Sequence, residues 1–199
     1  NALNVGGDAG TLTADAGGAL DFTGGSYTTL NGTAGGNISQ SGALTVTGTT
    51  TLTSDNTAIT ATLVDATNDF GTVSLVSTGV GTFSLADIIA ANALNVGGDA
   101  DILTVDAGGA VVFTGGIYTT LNGTAGGNIS QSGALTFTGT TTLTSDAAPI
   151  TATLTEATND FGTVSLVSVG TGSFTTASIT DTNALNVGGD AGTLTADAG

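Results

Sequence analysis

The string NALNVGGDA occupies Asn1–Ala9, returns at Asn92–Ala100 and returns again at Asn183–Ala191, a spacing of 91 residues each time. Residues 1–91 and 92–182 share 70 identical positions and differ at 21, while residues 183–199 repeat 1–17 without a change. Two copies and the start of a third account for all 199 residues. Such a period is the mark of stacked repeating units. The expected organisation is one continuous body, with repeat one at 1–91, repeat two at 92–182 and the opening of repeat three at 183–199.

Inside the period a shorter pattern recurs: ALNVGG at Ala2, ALDFTGG at Ala19, ALTVTGT at Ala43 and VSLVSTG at Val73, before ALNVGG restarts at Ala93. Read as successive coils, these predict about four irregular coils per 91-residue repeat. Each coil has short period-2 strands and turn-forming Gly, Asn or Asp at its corners. That texture predicts an all-β parallel solenoid. At ~4.8 Å per coil the repeat would advance roughly 19 Å. An array of 91-residue globular β-sandwich modules is the alternative, since such a domain has about this length.

Alternation assigns the faces. Leu3 and Val5, Leu20 and Phe22, Leu44 and Val46, Val73 and Leu75 should point inward, and Asn4, Asp21, Thr45 and Ser74 outward. Further inward candidates are Leu12, Tyr27, Leu30, Ile38, Leu52, Ile59, Leu63, Phe70 and Phe83. Differences between copies fit: Val46 becomes Phe137 and stays apolar, whereas outward Asp21 becomes Val112 and corner Asn56 becomes Ala147.

Composition narrows function. The chain has 16 acidic residues and no Lys, Arg, His or Cys, for a formal charge of −16. Without a base tuned near neutral pH or a cation to meet developing negative charge, most hydrolytic and transfer chemistry has no agent here. Nucleic acid and anionic membrane surfaces would be repelled, and no apolar run is long enough to insert in a membrane. No catalytic, cofactor-binding or metal-binding residue is expected, and the chain is not expected to be an enzyme. A polysaccharide hydrolase working through paired carboxylates is disfavoured, because the Asp residues recur with the period and do not gather in one cleft.

Three binding chemistries fit particular residues. Calcium would use acidic turns such as Asp65, Asn68 and Asp69, but the plainer expectation is that Asp8, Asp15, Asp55, Asp65 and Asp69 form turns and keep the rod soluble. GGDAGTLTADAGG at Gly6–Gly18 lacks the spacing of the calcium nonapeptide. An ice-binding face would use Thr-x-Thr pairs, as at Thr11–Thr13, Thr47–Ser54 and Thr60–Thr62. These fall at uneven offsets, so Thr filling outward strand positions for its β-branched shape is the plainer expectation. N-linked sequons stand at Asn31 and Asn37, with twins at Asn122 and Asn128.

DATNDFGTVSLVSTGVGTFSLAD at Asp65–Asp87, running on to NALNVGG at Asn92–Gly98, and EATNDFGTVSLVSVGTGSF at Glu156–Phe174 resemble repeats of filamentous-haemagglutinin-like bacterial surface proteins. The resemblance implies a right-handed parallel β-helix exported to the cell surface, as an adhesin stalk or extracellular fibre. The expected partner is the chain itself, by continuation of the repeat or end-to-end stacking, with other cell-surface components beside it. The rod's carboxylates should make side-by-side bundling depend on divalent cations or high salt. Val112 and Ile117 in repeat two stand where repeat one has Asp21 and Ser26, which offers a lateral apolar contact.

Overall fold

A computed structural model describes residues 1–199, and every element in it is a β-strand. The first period holds nine: β1 (Leu3–Val5), β2 (Ala9–Ala16), β3 (Leu20–Phe22), β4 (Gly25–Ala34), β5 (Ile38–Gln40), β6 (Leu44–Ser54), β7 (Ala58–Leu63), β8 (Asp69–Ser77) and β9 (Thr82–Ala90). The second restarts with β10 (Leu94–Gly98), β11 (Ala100–Ala107), β12 (Val111–Phe113), β13 (Gly116–Ala125) and β14 (Ile129–Gln131). Here the counterpart of β6 is split into β15 (Leu135–Phe137) and β16 (Thr140–Ser145). Then come β17 (Pro149–Leu154), β18 (Thr163–Ser168) and β19 (Ser173–Asp181). β20 (Asn186–Gly189) and β21 (Ala191–Ala198) open the third.

All pairing is parallel and forms two sheets. The first runs β1-β3-β5-β7-β9-β11-β13-β16-β18-β20, with β15 also paired to β13, and the second runs β2-β4-β6-β8-β10-β12-β14-β17-β19-β21. The chain therefore alternates between sheets and makes about ten turns of a β-solenoid. An immunoglobulin-like sandwich is antiparallel, so the parallel ladders replace that alternative.

The expected count of about four coils per period comes out as four and a half. Nine strand segments at two per coil give four and a half. The half has a large consequence: β1 lies in the first sheet, its counterpart β10 in the second, and β20 in the first again. Successive repeats thus present the same sequence on opposite faces, and the structural period is 182 residues. The four recurring segments are not equivalent coil positions: the Ala2 and Ala19 segments do stack, with Leu3 opposite Leu20, while the Ala43 and Val73 segments belong to the other sheet. The in-register residues Leu3, Leu20, Ile38, Ala61, Ala86 and Leu103 mark coils of 17, 18, 23, 25 and 17 residues. Corners absorb the difference, since a longer corner leaves strand register unchanged.

The core is one cluster of 45 buried apolar residues between the sheets. Leu20, Phe22, Leu44, Val46 and Val73 are fully buried, as alternation predicts. Leu3, Val5 and Leu12 are only half-buried because they lie in the first coil, but their counterparts Leu94, Val96 and Leu103 are buried. In repeat two Tyr118, Phe137 and Phe161 stack with centroid separations of 5.4 and 5.3 Å. Repeat one interrupts the equivalent column with Val46, between Tyr27 and Phe70. Thr50 and Thr141 break the apolar rule: both point inward and are fully buried, with no hydrogen-bond partner for their hydroxyls.

At one corner of each repeat a buried amide ties coils together. The Asn68 side-chain oxygen accepts from the Leu44 N–H (2.9 Å) and from Gln40 Nε2 (2.9 Å). Its Nδ2 donates to Gln40 Oε1 (2.7 Å) and to the Leu63 carbonyl (3.2 Å). Asn159 repeats this with Gln131, Leu135 and Leu154. Every buried polar atom of the Asn side chain is satisfied, as burial requires.

Candidate functional site

Outward residues fall into register columns, and their composition differs between the two faces. On the second sheet of repeat one, Thr13 pairs with Asn31, Asn31 with Thr51 and Thr51 with Ser74. Beside that column, Asp15 pairs with Thr33, Thr33 with Thr53 and Thr53 with Val76. A third column begins Thr11 with Thr29 and ends Thr49 with Thr72, and the pairing of Leu30 with Thr50 brings Thr29 and Thr49 alongside. The result is three columns across four coils, twelve outward positions of which eight are Thr. Strand spacing and the two-residue step place neighbouring side chains ~4.8 Å apart between coils and ~6.7 Å apart along a strand.

The uneven offsets of the Thr-x-Thr pairs do not prevent this alignment. Coil length varies in the corners, and a β-bulge between Tyr27 and Leu30 resets register before Thr33 meets Thr53. In repeat two the same columns appear on the first sheet, for instance Thr104, Asn122, Thr142 and Ser165.

The acidic residues are dispersed. No three acidic side chains come together. Asp8 accepts from the Ser26 N–H (2.9 Å) and Asp99 from the Ile117 N–H (2.9 Å), so both act as corner braces. Asp21 accepts from the Ser39 and Ser41 hydroxyls (2.8 and 2.7 Å). In the calcium candidate, Asp65 accepts from the Thr67 hydroxyl and N–H (2.6 and 2.9 Å), which holds its carboxyl below the ordinary range. The Asn68 oxygen is already spent on two internal donors and is fully buried, and Asp69 lies in β8. Asp65, Asn68 and Asp69 therefore do not converge on one ligand position. Of the sequon residues, Asn37 and Asn128 brace the next coil by accepting from the Thr60 and Thr151 N–H groups (3.0 and 2.9 Å). Asn31 and Asn122 sit within the threonine columns.

A groove of about 270 Å³ lies where the longest coil gives way to a short one, lined by Ser77, Phe83, Asp99, Asp101, Ile117 and Thr138 among others. It recurs one period later at Ser168, Phe174 and Asp190, with about 260 Å³. Ile117 lines it and is 57 % exposed, whereas Val112 is half-buried on β12, in the other sheet from Ile117 on β13, so the two do not form one lateral apolar patch. The difference between copies points to Ile117, but the groove is not legible in the sequence, since it arises from the mismatch of coil lengths.

Asp87 pairs with Thr104, two residues before Asp106, so the two aspartates are diagonal neighbours on β9 and β11 of the first sheet. Partial burial raises both carboxyls. The Asp106 charge adds to the rise at Asp87, and the Asp146 charge to that at Asp106. A raised carboxyl contributes stability that is fully present below its unfolded value and is lost as pH climbs through the folded value. These two carboxyls therefore favour a higher thermal midpoint at about pH 4 than at about pH 8, while Asp65, whose carboxyl is lowered, works the other way. Asp87→Ser, the residue found at Ser178, should lower the midpoint at the acid pH relative to that at the alkaline one. Circular dichroism melts of dilute protein at both pH values check this, and a variant with the parent's pH dependence would refute it.

A family described as repeats of unknown function (DUF5649) matches residues 6–77 and 100–168. The two matched segments end at Ser77 and Ser168, one 91-residue period apart, and together cover most of the chain. The chain belongs to the DUF5649 repeats. Neither the curated proteins nor the solved structures contain a match. In structural terms, each DUF5649 match covers the threonine columns and the buried Asn–Gln pair of one repeat. The stretch from Thr78 to Asp99, which carries nine of the 21 differences between copies and part of the groove's lining, falls between the matches.

Proposed function

We propose that this DUF5649 segment is a stiff, acidic spacer in a secreted or cell-surface fibre, filament or adhesin stalk, and that it carries no catalytic activity. The observation behind this reading is the unbroken pairing of both sheets through the repeat junction, with β8 to β10 and β9 to β11 in register. A unit that joins its successor by the same ladder it uses internally extends a rod without a hinge. The filamentous-haemagglutinin-like resemblance agrees with such a role at the bacterial surface. The absence of Lys and Arg leaves no trypsin site and suits exposure outside the cell. The main partner is another stretch of the same repeat, with cell-surface components alongside and divalent cations screening the carboxylates when rods bundle.

Length decides the matter. Ten coils at ~4.8 Å predict a rod of about 45 Å, and each further 91-residue unit should add ~22 Å. Small-angle scattering on chains with two, four and six repeats should show maximum dimension growing by that increment at constant cross-section. Growth in steps of about 40 Å, or a coil-like scaling, would sink the spacer reading.

A further inference from the structure

We propose that the threonine columns of each repeat form a binding face for crystalline water, so that the rod adsorbs to ice. This goes beyond the spacer role and does not depend on it.

Four observations carry it. First, the columns are a two-dimensional array with every position filled by strand geometry. Its two spacings, ~4.8 and ~6.7 Å, lie close to the oxygen repeats along the two axes of a prism face of hexagonal ice. Thr offers both a hydroxyl to join that lattice and a methyl to fill its hollows. Second, the array is uncharged except at one margin, Asp15 in repeat one and Asp106 in repeat two. A strongly hydrated carboxylate in its centre would hold liquid-like water. Third, of the twelve array positions only Thr11 changes between copies, to Ile102. On the opposite face of the same period, four of eight outward positions change: Asp21 to Val112, Leu85 to Thr176, Asp87 to Ser178 and Ile89 to Thr180. A face needed only for solubility would drift as its opposite does. Fourth, three of those changes extend an array. They put Thr176, Ser178 and Thr180 on β19 in register with Thr193, Thr195 and Asp197 on β21.

The competing occupants fit less well. A protein partner needs large aromatic or Arg anchors in pockets, and the array has none. Its contacts are individually weak, identical and in register, which suits a lattice that engages all of them at once. Because repeats alternate faces, a long rod carries such arrays on both sides.

The 199-residue chain should show thermal hysteresis and inhibit ice recrystallisation. Thr51→Tyr with Thr142→Tyr places a bulky ring at the centre of each array and should abolish both effects. Val80→Tyr with Val169→Tyr, at exposed corners outside both sheets, should leave them intact. Circular dichroism confirms folding. If the tyrosine pair misfolds, Thr51→Ser with Thr142→Ser decides, since it removes two methyls and keeps the hydroxyls; loss of hysteresis is expected. No hysteresis in the parent chain, or hysteresis indifferent to the array substitutions, overturns the proposal. Retention on microcrystalline cellulose or chitin without an effect on ice, or concentration-dependent self-association abolished by the tyrosine pair without an effect on ice, overturns it equally.

Discussion

Asn68→Ala should lower stability by about 3 kcal/mol, because it strands several buried partners and each unsatisfied buried donor or acceptor costs roughly 1–3 kcal/mol. The Leu44 N–H loses its acceptor, and the Leu63 carbonyl loses one donor. The Gln40 amide loses its reciprocal partner and keeps the Gly42 carbonyl and a long contact (3.5 Å) from the Asp65 N–H. The substitution also leaves a void at a fully buried position. Asn68→Asp should be at least as damaging: it keeps the acceptor for Leu44 but removes both donations and buries a charge in a chain without a cationic side chain to pair with it. Solenoids unfold in segments, so the readout is residue-specific. Hydrogen exchange at the Leu44 amide should accelerate sharply, together with a fall in the denaturation midpoint. If that amide stays protected and the midpoint is unmoved, the Asn68 clasp is not a structural determinant.

Gly98→Ala should be the other severe change, and Gly7→Ala its internal control. The two glycines occupy the same place in NVGGD and nearly the same backbone conformation, φ 103° and 105°. Each donates its N–H to the next coil, Gly98 to Gly115 O and Gly7 to Gly24 O, both at 3.0 Å. Left-handed φ alone costs an L-residue about 1–2 kcal/mol, and that is the whole expected cost at Gly7, where nothing lies within 4 Å of an added Cβ. At Gly98 the added Cβ would overlap the Leu75 carbonyl oxygen and come within 2.8 Å of its carbon. Leu75 is the paired residue of β8, so the atom in the way is backbone that cannot rotate aside. The strands must part at the repeat junction, for a total of about 4 kcal/mol or more. Thermal melts of the two variants should differ by at least several degrees. Equal midpoints would mean that the junction yields freely and is a weak point in the rod.

Much of this was legible in the residues, for identifiable reasons. Alternation named Leu20, Phe22, Ile38, Leu52, Phe70 and Phe83 as inward, because a side-chain period of two is a local property of the strand. The Gly–Gly and Asn–Asp corners were legible because positive φ and Asx turns are local too. Thr50 was not: it stands in a Thr-rich run read as outward, and only its pairing with Leu30 and the burial of Leu52 beside it fix it inside. Asn68, read as a turn residue or cation ligand, became a buried clasp through Gln40, 28 residues away.

The sequence by itself determined the 91-residue period, the all-β parallel solenoid and the acidic, cation-free surface, because these follow from repetition, alternation and composition. Tertiary structure alone decided that the period holds four and a half coils, that successive repeats face opposite ways and that Thr residues at uneven offsets stand in straight columns. The physical reason is that corners are elastic in length while ladders are not. A corner takes in or gives up several residues at little cost. A one-residue slip in a ladder would turn every apolar side chain outward. Register is therefore fixed by burial across coils, and no count of residues along the chain reveals it.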